Sequence, residues 1–316
     1  MRKFTLFASL IAWSFLFGKE DKPIDYNLLE KREVNGEKIY FLKNEKEPYT
    51  GKSVENYDNG KKLFATFSKG KWSGPAIQYY PNGNKSCEVL YENGKMVFAK
   101  SWKPDGSICD VTNAVDGNGV VQTYHPNGKQ ENRTTYRNGF KEGLQYGWHD
   151  NGQKKAEGNC KDGKKEGLVT SWYDNGQKKA EGNCKDGKLE GLVTSWYDNG
   201  QKKAESNWKD GKNDGLATDW YLNGQKKAES NWKEGKANGQ VIGWHENGQK
   251  KAENNWKDGK LEGLVTRWYD NGQKKEESNW KDGKPDGLGI IYDENGKEIL
   301  RRHYLNGVIT LEHKAP

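Results

Sequence analysis

The sequence has 316 residues, 32% of them hydrophobic and 31% charged, and a formal charge of +7. Two ordinary globular domains would need more Leu, Ile and Val for their cores, whereas a disordered chain would lack the 13 tryptophans and 12% aromatic content found here. Arg2 and Lys3 fall in the first eighteen residues, which hold no acid, so the remainder carries +5 with no concentrated basic patch; a nucleic-acid partner is not expected. Few aliphatics, many aromatics and 39 glycines fit a thin structure in which each piece buries only a small face.

The chain opens with Arg2 and Lys3, then an apolar run from Phe4 to Phe17 that stops at Gly18-Lys19-Glu20. A basic start and an apolar stretch of this length predict a secretory signal peptide over residues 1–18. The run falls short of the about 20 apolar residues of a membrane-spanning helix. An uncleaved N-terminal anchor is the alternative, because Leu16-Phe17-Gly18 is only a fair cleavage site. The expectation is therefore export to the periplasm, cell surface or medium, with membrane anchoring as the second reading. Residues 19–47 follow as an N-terminal capping hairpin around Asn35-Gly36.

From residue 48 to 312 the chain is a tandem repeat, leaving a short tail at 313–316. Asn-Gly pairs begin at Asn127, Asn151, Asn175, Asn199, Asn223, Asn247, Asn271 and Asn295, always 24 apart, and Asn59, Asn82 and Asp105 continue the series at 22 or 23. That makes eleven units of 22–24 residues. An offset set of Asp-Gly or Glu-Gly pairs runs from Asp162 to Asp282. Asn-Gly and Asp-Gly between alternating stretches are strong hairpin signals, so each unit holds two strands and two turns. The fold class predicted is all-β: an elongated antiparallel sheet of tandem β-hairpins, open and solenoid-like.

Turn length sets the faces. A two-residue loop at Asn175-Gly176 would split the aromatics between both faces; a three-residue loop with Gly176 in the left-handed position pairs Trp172 with Lys178. The second arrangement is preferred. Counted by simple alternation, it gathers Leu168, Thr170, Trp172, Ala180 and Cys184 on an inner face, with Val169, Ser171, Tyr173, Lys179, Glu181 and Asn183 outside. Two tryptophan ladders would then share the inner face, one from Trp148 to Trp268 and one from Trp208 to Trp280.

At Glu157-Gly158-Asn159-Cys160-Lys161-Asp162-Gly163-Lys164, and more fully from Glu205 to Gln225, the chain resembles the MORN repeat in its bacterial variant form. The resemblance spans about residues 48–310. It implies a twisted antiparallel sheet built from hairpins and roles in protein or peripheral membrane association; some bacterial members are labelled antitoxins. One departure is that Gly158 and Gly182 become Ser206, Ser230, Asn254 and Ser278 in later units.

No catalytic constellation, cofactor or metal site is expected. Cys160 and Cys184 hold equivalent places in adjacent units, about 10 Å apart, beyond the roughly 7 Å Cα limit of a disulfide; they read as small buried substitutes for the tryptophan found there later. Cys87 and Cys109 meet much the same objection. His125, His149 and His245 fall where other units carry tyrosine. The lysine pairs after the Asn-Gly turns offer a possible ligand face: Trp172, Lys178, Trp196, Lys202, Trp220, Lys226, Trp244, Lys250 and Trp268. On this reading the first lysine of each pair packs over the tryptophan opposite, and the second is neutralised by the glutamate two residues on. The function expected is a non-catalytic exported scaffold for a protein or cell-envelope polymer. A cell-wall glycan module and an antitoxin-like partner of a toxin are the alternatives.

Overall fold

The computed structural model describes residues 22–314. The signal-peptide expectation and the last two residues of the tail lie outside the described residues. The chain divides after Phe140 into two compact units, and both are built of strands, as the all-β reading required.

In the first unit, Leu29–Val34 and Glu37–Leu42 pair in antiparallel fashion around Asn35-Gly36, whose φ values of 52° and 79° define a type I′ turn. Ile24–Asp25 runs parallel to Gly51–Asn56, a pairing that a purely antiparallel sheet would not contain. Leu29, Tyr40, Ala65, Phe67 and Ala76 are buried together. The Phe67 ring lies 5.1 Å from Tyr40 and 5.2 Å from Trp72. Strands Lys62–Ser68, Gly74–Tyr79, Lys85–Glu92 and Lys95–Ser101 continue this sheet.

The repeat around Asp105-Gly106 departs from its neighbours. Its turn is normal: Lys103 N–H donates to the Ser107 carbonyl at 2.8 Å and Gly106 N–H to Lys103 at 2.9 Å. No regular strand follows until Gly119–Tyr124. Side chains stand in for the missing ladder. Thr112 Oγ1 accepts from Gln122 N–H at 3.0 Å and donates to the Gln122 carbonyl at 3.2 Å, while Asn113 Oδ1 accepts from Val120 N–H at 2.9 Å.

The second unit is a ladder in which each strand pairs antiparallel with the next, from Gly143–Trp148 and Lys154–Lys161 on to Glu298–Leu305 and Val308–Lys314. Two kinds of turn alternate. Asp186 and Gly187, at φ 50° and 82°, close a two-residue I′ turn between paired Lys185 and Lys188. At the opposite edge Tyr173 N–H donates to Gln177 O at 2.9 Å and Gly176 N–H to Tyr173 O at 3.0 Å, with Gly176 at φ 83°. This is the three-residue loop, and Trp172 does face Lys178.

The faces differ from simple alternation. After the Trp172–Lys178 pair, Ser171 faces Ala180, so Lys179 is an extra residue. A β-bulge of this kind moves every later side chain to the other face. Trp172, Thr170 and Leu168 therefore share a face with Lys178, Glu181 and Asn183. Ala180, Gly182 and Cys184 join Val169 and Ser171 on the reverse. The two tryptophan ladders lie on opposite faces, because Trp208 pairs with Gly191 on the side of Val193. The clusters of buried residues found among the described residues all belong to the first unit.

Candidate interaction face

The nine residues singled out in the sequence fall on one face of the second unit. Trp172, Trp196, Trp220 and Trp244 face Lys178, Lys202, Lys226 and Lys250 across the hairpin, and Trp268 faces Lys274. The lysines do not rest on the indoles they face. The bulge brings Lys178 onto the same side as Glu181, where they pair at 2.7 Å, and its ammonium lies 5.8 Å from the ring of Trp196 in the following repeat. Lys202 repeats the pattern with Glu205 and Trp220, Lys226 with Glu229 and Trp244, Lys250 with Glu253 and Trp268. Lys154 likewise pairs with Glu157 and lies over Trp172. The second lysine of each pair, expected beside the glutamate, sits over tyrosine instead: Lys179 is 5.4 Å from the Tyr173 ring and Lys203 is 5.6 Å from Tyr197. The two lysine roles are thus exchanged relative to the sequence reading.

Each partly exposed ion pair is worth up to about 1 kcal/mol, and each cation–π contact about 0.5–1 kcal/mol. Their sum over many repeats supports the array, and their electrostatic effect is to neutralise the lysine column. The hydrogen bond from Lys178, reinforced by its charge, holds the Glu181 carboxyl below its ordinary value, and Lys250 does the same for Glu253.

What remains open on this face is aliphatic. Leu144, Leu168, Leu192, Leu216 and Leu264 are between 44% and 53% exposed. They form a column beside the tryptophans, with Thr170, Thr218 and Thr266 buried between the two. Around Leu144 and Leu168 lies a groove of about 570 Å³, lined also by Trp172, Glu157, Glu166 and Glu181. Among the described residues, no group of three or more His, Cys, Asp or Glu could hold a metal ion, and no helix is long and apolar enough to cross a membrane.

Successive repeats are stitched at both edges. Asn175 Nδ2 donates to the Asp198 carbonyl at 2.7 Å, and the Tyr173 hydroxyl to the Trp196 carbonyl at 2.8 Å. His149 and His245 place Nε2 3.0 Å from the carbonyls of Trp172 and Trp268, so they replace tyrosine as donors rather than being neutral surface variants. At the other edge Gly187 N–H donates to Lys165 O at 2.9 Å and Asp186 N–H to a Glu166 carboxylate oxygen at 3.0 Å.

The reverse face explains the glycine-to-serine change. Trp208 Nε1–H donates to Ser206 Oγ, Trp232 to Ser230 and Trp280 to Ser278, each at 2.8 Å, and Trp256 to Asn254 at 2.7 Å. Where cysteine replaces tryptophan there is no indole N–H to satisfy, and glycine stands two residues before it. A Cβ on Gly182 would come 2.8 Å from Val193 Cγ2. The four cysteines are buried and free. Burial pushes the Cys87 thiol up to about 12.

The model of the MORN repeat variant matches residues 73–93, 118–138, 165–186, 189–210, 213–234, 237–258 and 261–282. No curated protein matches the chain at a significant level. Among solved structures, a chain from "Crystal Structure of TcdB2-TccC3-Cdc42" aligns at 11% identity and a TM-score of 0.18, covering 88% of this chain and 16% of that one. The chain thus spans about a sixth of that protein's length, and a likeness at this level carries no argument. Seven family matches in register with the hairpins, each a strand pair closed by a glycine turn, define the chain: it is a MORN repeat protein of the variant type.

Proposed function

We infer that the protein is a non-catalytic, exported scaffold that binds a protein partner along the leucine–tryptophan face of its second unit. The observation that carries this reading is the exposed column Leu144, Leu168, Leu192, Leu216 and Leu264. A regularly spaced aliphatic column is an unfavourable surface to leave in water and a favourable one to bury against another chain. Extended repeat arrays spread such contacts over many units. A glycan module is less well supported, because sugar stacking uses an open indole face and each of these indoles already has a lysine ammonium 5.5–5.8 Å from its centre. Export rests on the N-terminal sequence pattern alone. An antitoxin role requires a cytosolic protein and is disfavoured by that pattern.

A photo-crosslinker at Leu192, tested in the producing cell against one at Ser195 on the reverse face, checks the reading. A discrete protein adduct at Leu192 is expected, with none at Ser195. A carbohydrate adduct, or equal trapping from both faces, would overturn it. Fractionation with sequencing of the mature N-terminus tests export: an intact, cytosolic product removes it and promotes the antitoxin reading.

A further inference from the structure

The spacing of the leucine column and the charge along its rim specify the kind of segment that fits it. Equivalent residues in successive repeats are two strands apart, about 9.6 Å at ordinary strand spacing. A polyproline II helix has three residues per turn and rises about 3.1 Å per residue, so every third side chain returns to the same side after about 9.3 Å. The mismatch is about 0.3 Å per repeat, or roughly 1.5 Å over five. An extended β-strand does not share this match. Its side chains alternate, so every third residue points to the opposite side. An α-helix advances about 5.4 Å per turn and meets the column only at irregular positions.

Charge gives the second criterion. The groove at Leu144 and Leu168 is lined by three carboxylates: Glu157 and Glu181 pair with Lys154 and Lys178, and Glu166, which accepts the Asp186 backbone N–H, supplies the charge beyond those pairs. The following repeats carry Glu190 and Asp214 at the place of Glu166, each likewise accepting a backbone N–H of the next turn. Although the whole chain is basic, the row Glu166, Glu190 and Asp214 adds one carboxylate per repeat beyond the lysine–glutamate pairs, and it complements a cationic ligand.

We propose that the leucine–tryptophan face binds a basic, proline-rich segment of a partner protein in the polyproline II conformation, lying across the strands with one aliphatic residue over each repeat. The inference rests on the scaffold reading above and names its partner class. Preorganisation of the ligand limits the entropy lost on ordering it, and each repeat adds one apolar contact and one acidic neighbour. Affinity then depends on how many consecutive repeats carry leucine. Gln240 interrupts the column between Leu216 and Leu264, so the continuous run is Leu144, Leu168, Leu192 and Leu216.

The test uses the full chain and synthetic peptides of about eight Leu-Pro-Arg triplets, which have the required period. Controls are a permuted peptide of the same composition without the three-residue period, and a Leu-Pro-Glu series. Titration calorimetry is expected to show binding of the first peptide that strengthens as triplets are added up to the length of the leucine run. Both controls should bind at least about tenfold more weakly, a difference of about 1.4 kcal/mol. The triple variant Leu168→Gln, Leu192→Gln, Leu216→Gln should lose binding while keeping its β-sheet circular dichroism. If that variant fails to fold, Gln240→Leu supplies an independent readout, since closing the gap should tighten binding. Equal binding of the permuted or acidic peptide, or none of the periodic one, overturns the proposal. Should Leu192 still trap a protein in the cell while the periodic peptide does not bind, this inference fails and the scaffold reading stands; if nothing is trapped, both fall.

Discussion

Lys61 and Glu131 are separated by 70 positions, yet the ammonium of one meets the carboxylate of the other at 2.6 Å in the first unit. Lys61 is only 1% exposed and Glu131 19%. The ammonium also donates to the Tyr124 carbonyl at 2.7 Å and lies 5.2 Å from the Tyr80 ring. Breaking a buried pair costs most when the partner left behind is the more buried one. Glu131→Ala should therefore destabilise by about 3–5 kcal/mol, and Lys61→Met by less, about 1–2 kcal/mol, because Glu131 keeps access to water. Urea unfolding of the two variants measures the order; a larger loss from Lys61→Met would refute this account of the clamp.

Glu234 occupies the first position of a type I′ turn at φ 51°, where the equivalent residues are Asp162, Asp186, Asp210, Asp258 and Asp282. Aspartate and asparagine tolerate the left-handed region better than glutamate. Glu234→Asn should stabilise by about 0.5–1 kcal/mol, and Asp210→Glu should cost a similar amount. Thermal melts that rank the two changes the other way would remove turn strain as the explanation.

The serine–tryptophan and glycine–cysteine pairs on the reverse face should be energetically coupled. Gly182→Ser alone crowds Val193, and Cys184→Trp alone leaves an indole N–H without its acceptor two residues earlier. The double change should be milder than the sum of the singles, with a coupling of about 1 kcal/mol. Strict additivity in a double-mutant cycle would show that the pairing has no energetic basis.

His245 stands where Tyr221 stands one repeat earlier, and both donate to a tryptophan carbonyl of the next unit. His245→Tyr should be close to neutral, while His245→Phe and Tyr221→Phe should each cost about 1 kcal/mol. Amide hydrogen exchange at the repeat junction provides a local readout. Unchanged protection in both phenylalanine variants would mean these bonds contribute nothing.

Acid should loosen the second unit through its lysine–glutamate column. The carboxyls of Glu181 and Glu253 are held below their ordinary value of 4.5 in the folded state, chiefly by the hydrogen bonds from Lys178 and Lys250. A depressed folded pKa contributes stability that is fully present above the unfolded value and is lost as pH falls through the folded one. Stability should therefore drop below about pH 4.5, and a Glu181→Gln, Glu253→Gln variant should show a shallower fall. An unchanged acid profile in that variant would assign acid sensitivity to other groups.

Much of this architecture was legible because glycine marks it. Asn175-Gly176 and Asp186-Gly187 announced two turns per repeat, and placing Gly176 in the left-handed position gave the Trp172–Lys178 register. The faces were not legible from that register alone. Nothing in Lys178-Lys179 distinguishes a lysine that continues the strand from one that bulges, yet the extra residue decides whether Cys184 and Trp208 share a side with Trp172 or oppose it. The lysine roles were exchanged for the same reason. The reverse-face bond was visible in principle, since glycine stands two residues before Cys160 and Cys184, and serine or asparagine two before Trp208, Trp232, Trp256 and Trp280. Its meaning needed the observation that the two residues point the same way. The repeat around Asp105 showed its turn in the sequence but not its lost strand, because that loss depends on Thr112 and Asn113 bonding to the backbone of residues 120–122.

The stitching between turns sets a rule for how such a gene can change length. Asn175 bonds to the homologous turn one repeat on, as does Asn151 before it and Asn247 after it. A deletion or duplication of one 24-residue period therefore returns each donor to an equivalent acceptor. Loss of any other number of residues strands both edges at once. Unequal recombination between near-identical repeats could thus lengthen or shorten this protein in whole steps of about 10 Å, changing its reach while leaving its local chemistry intact.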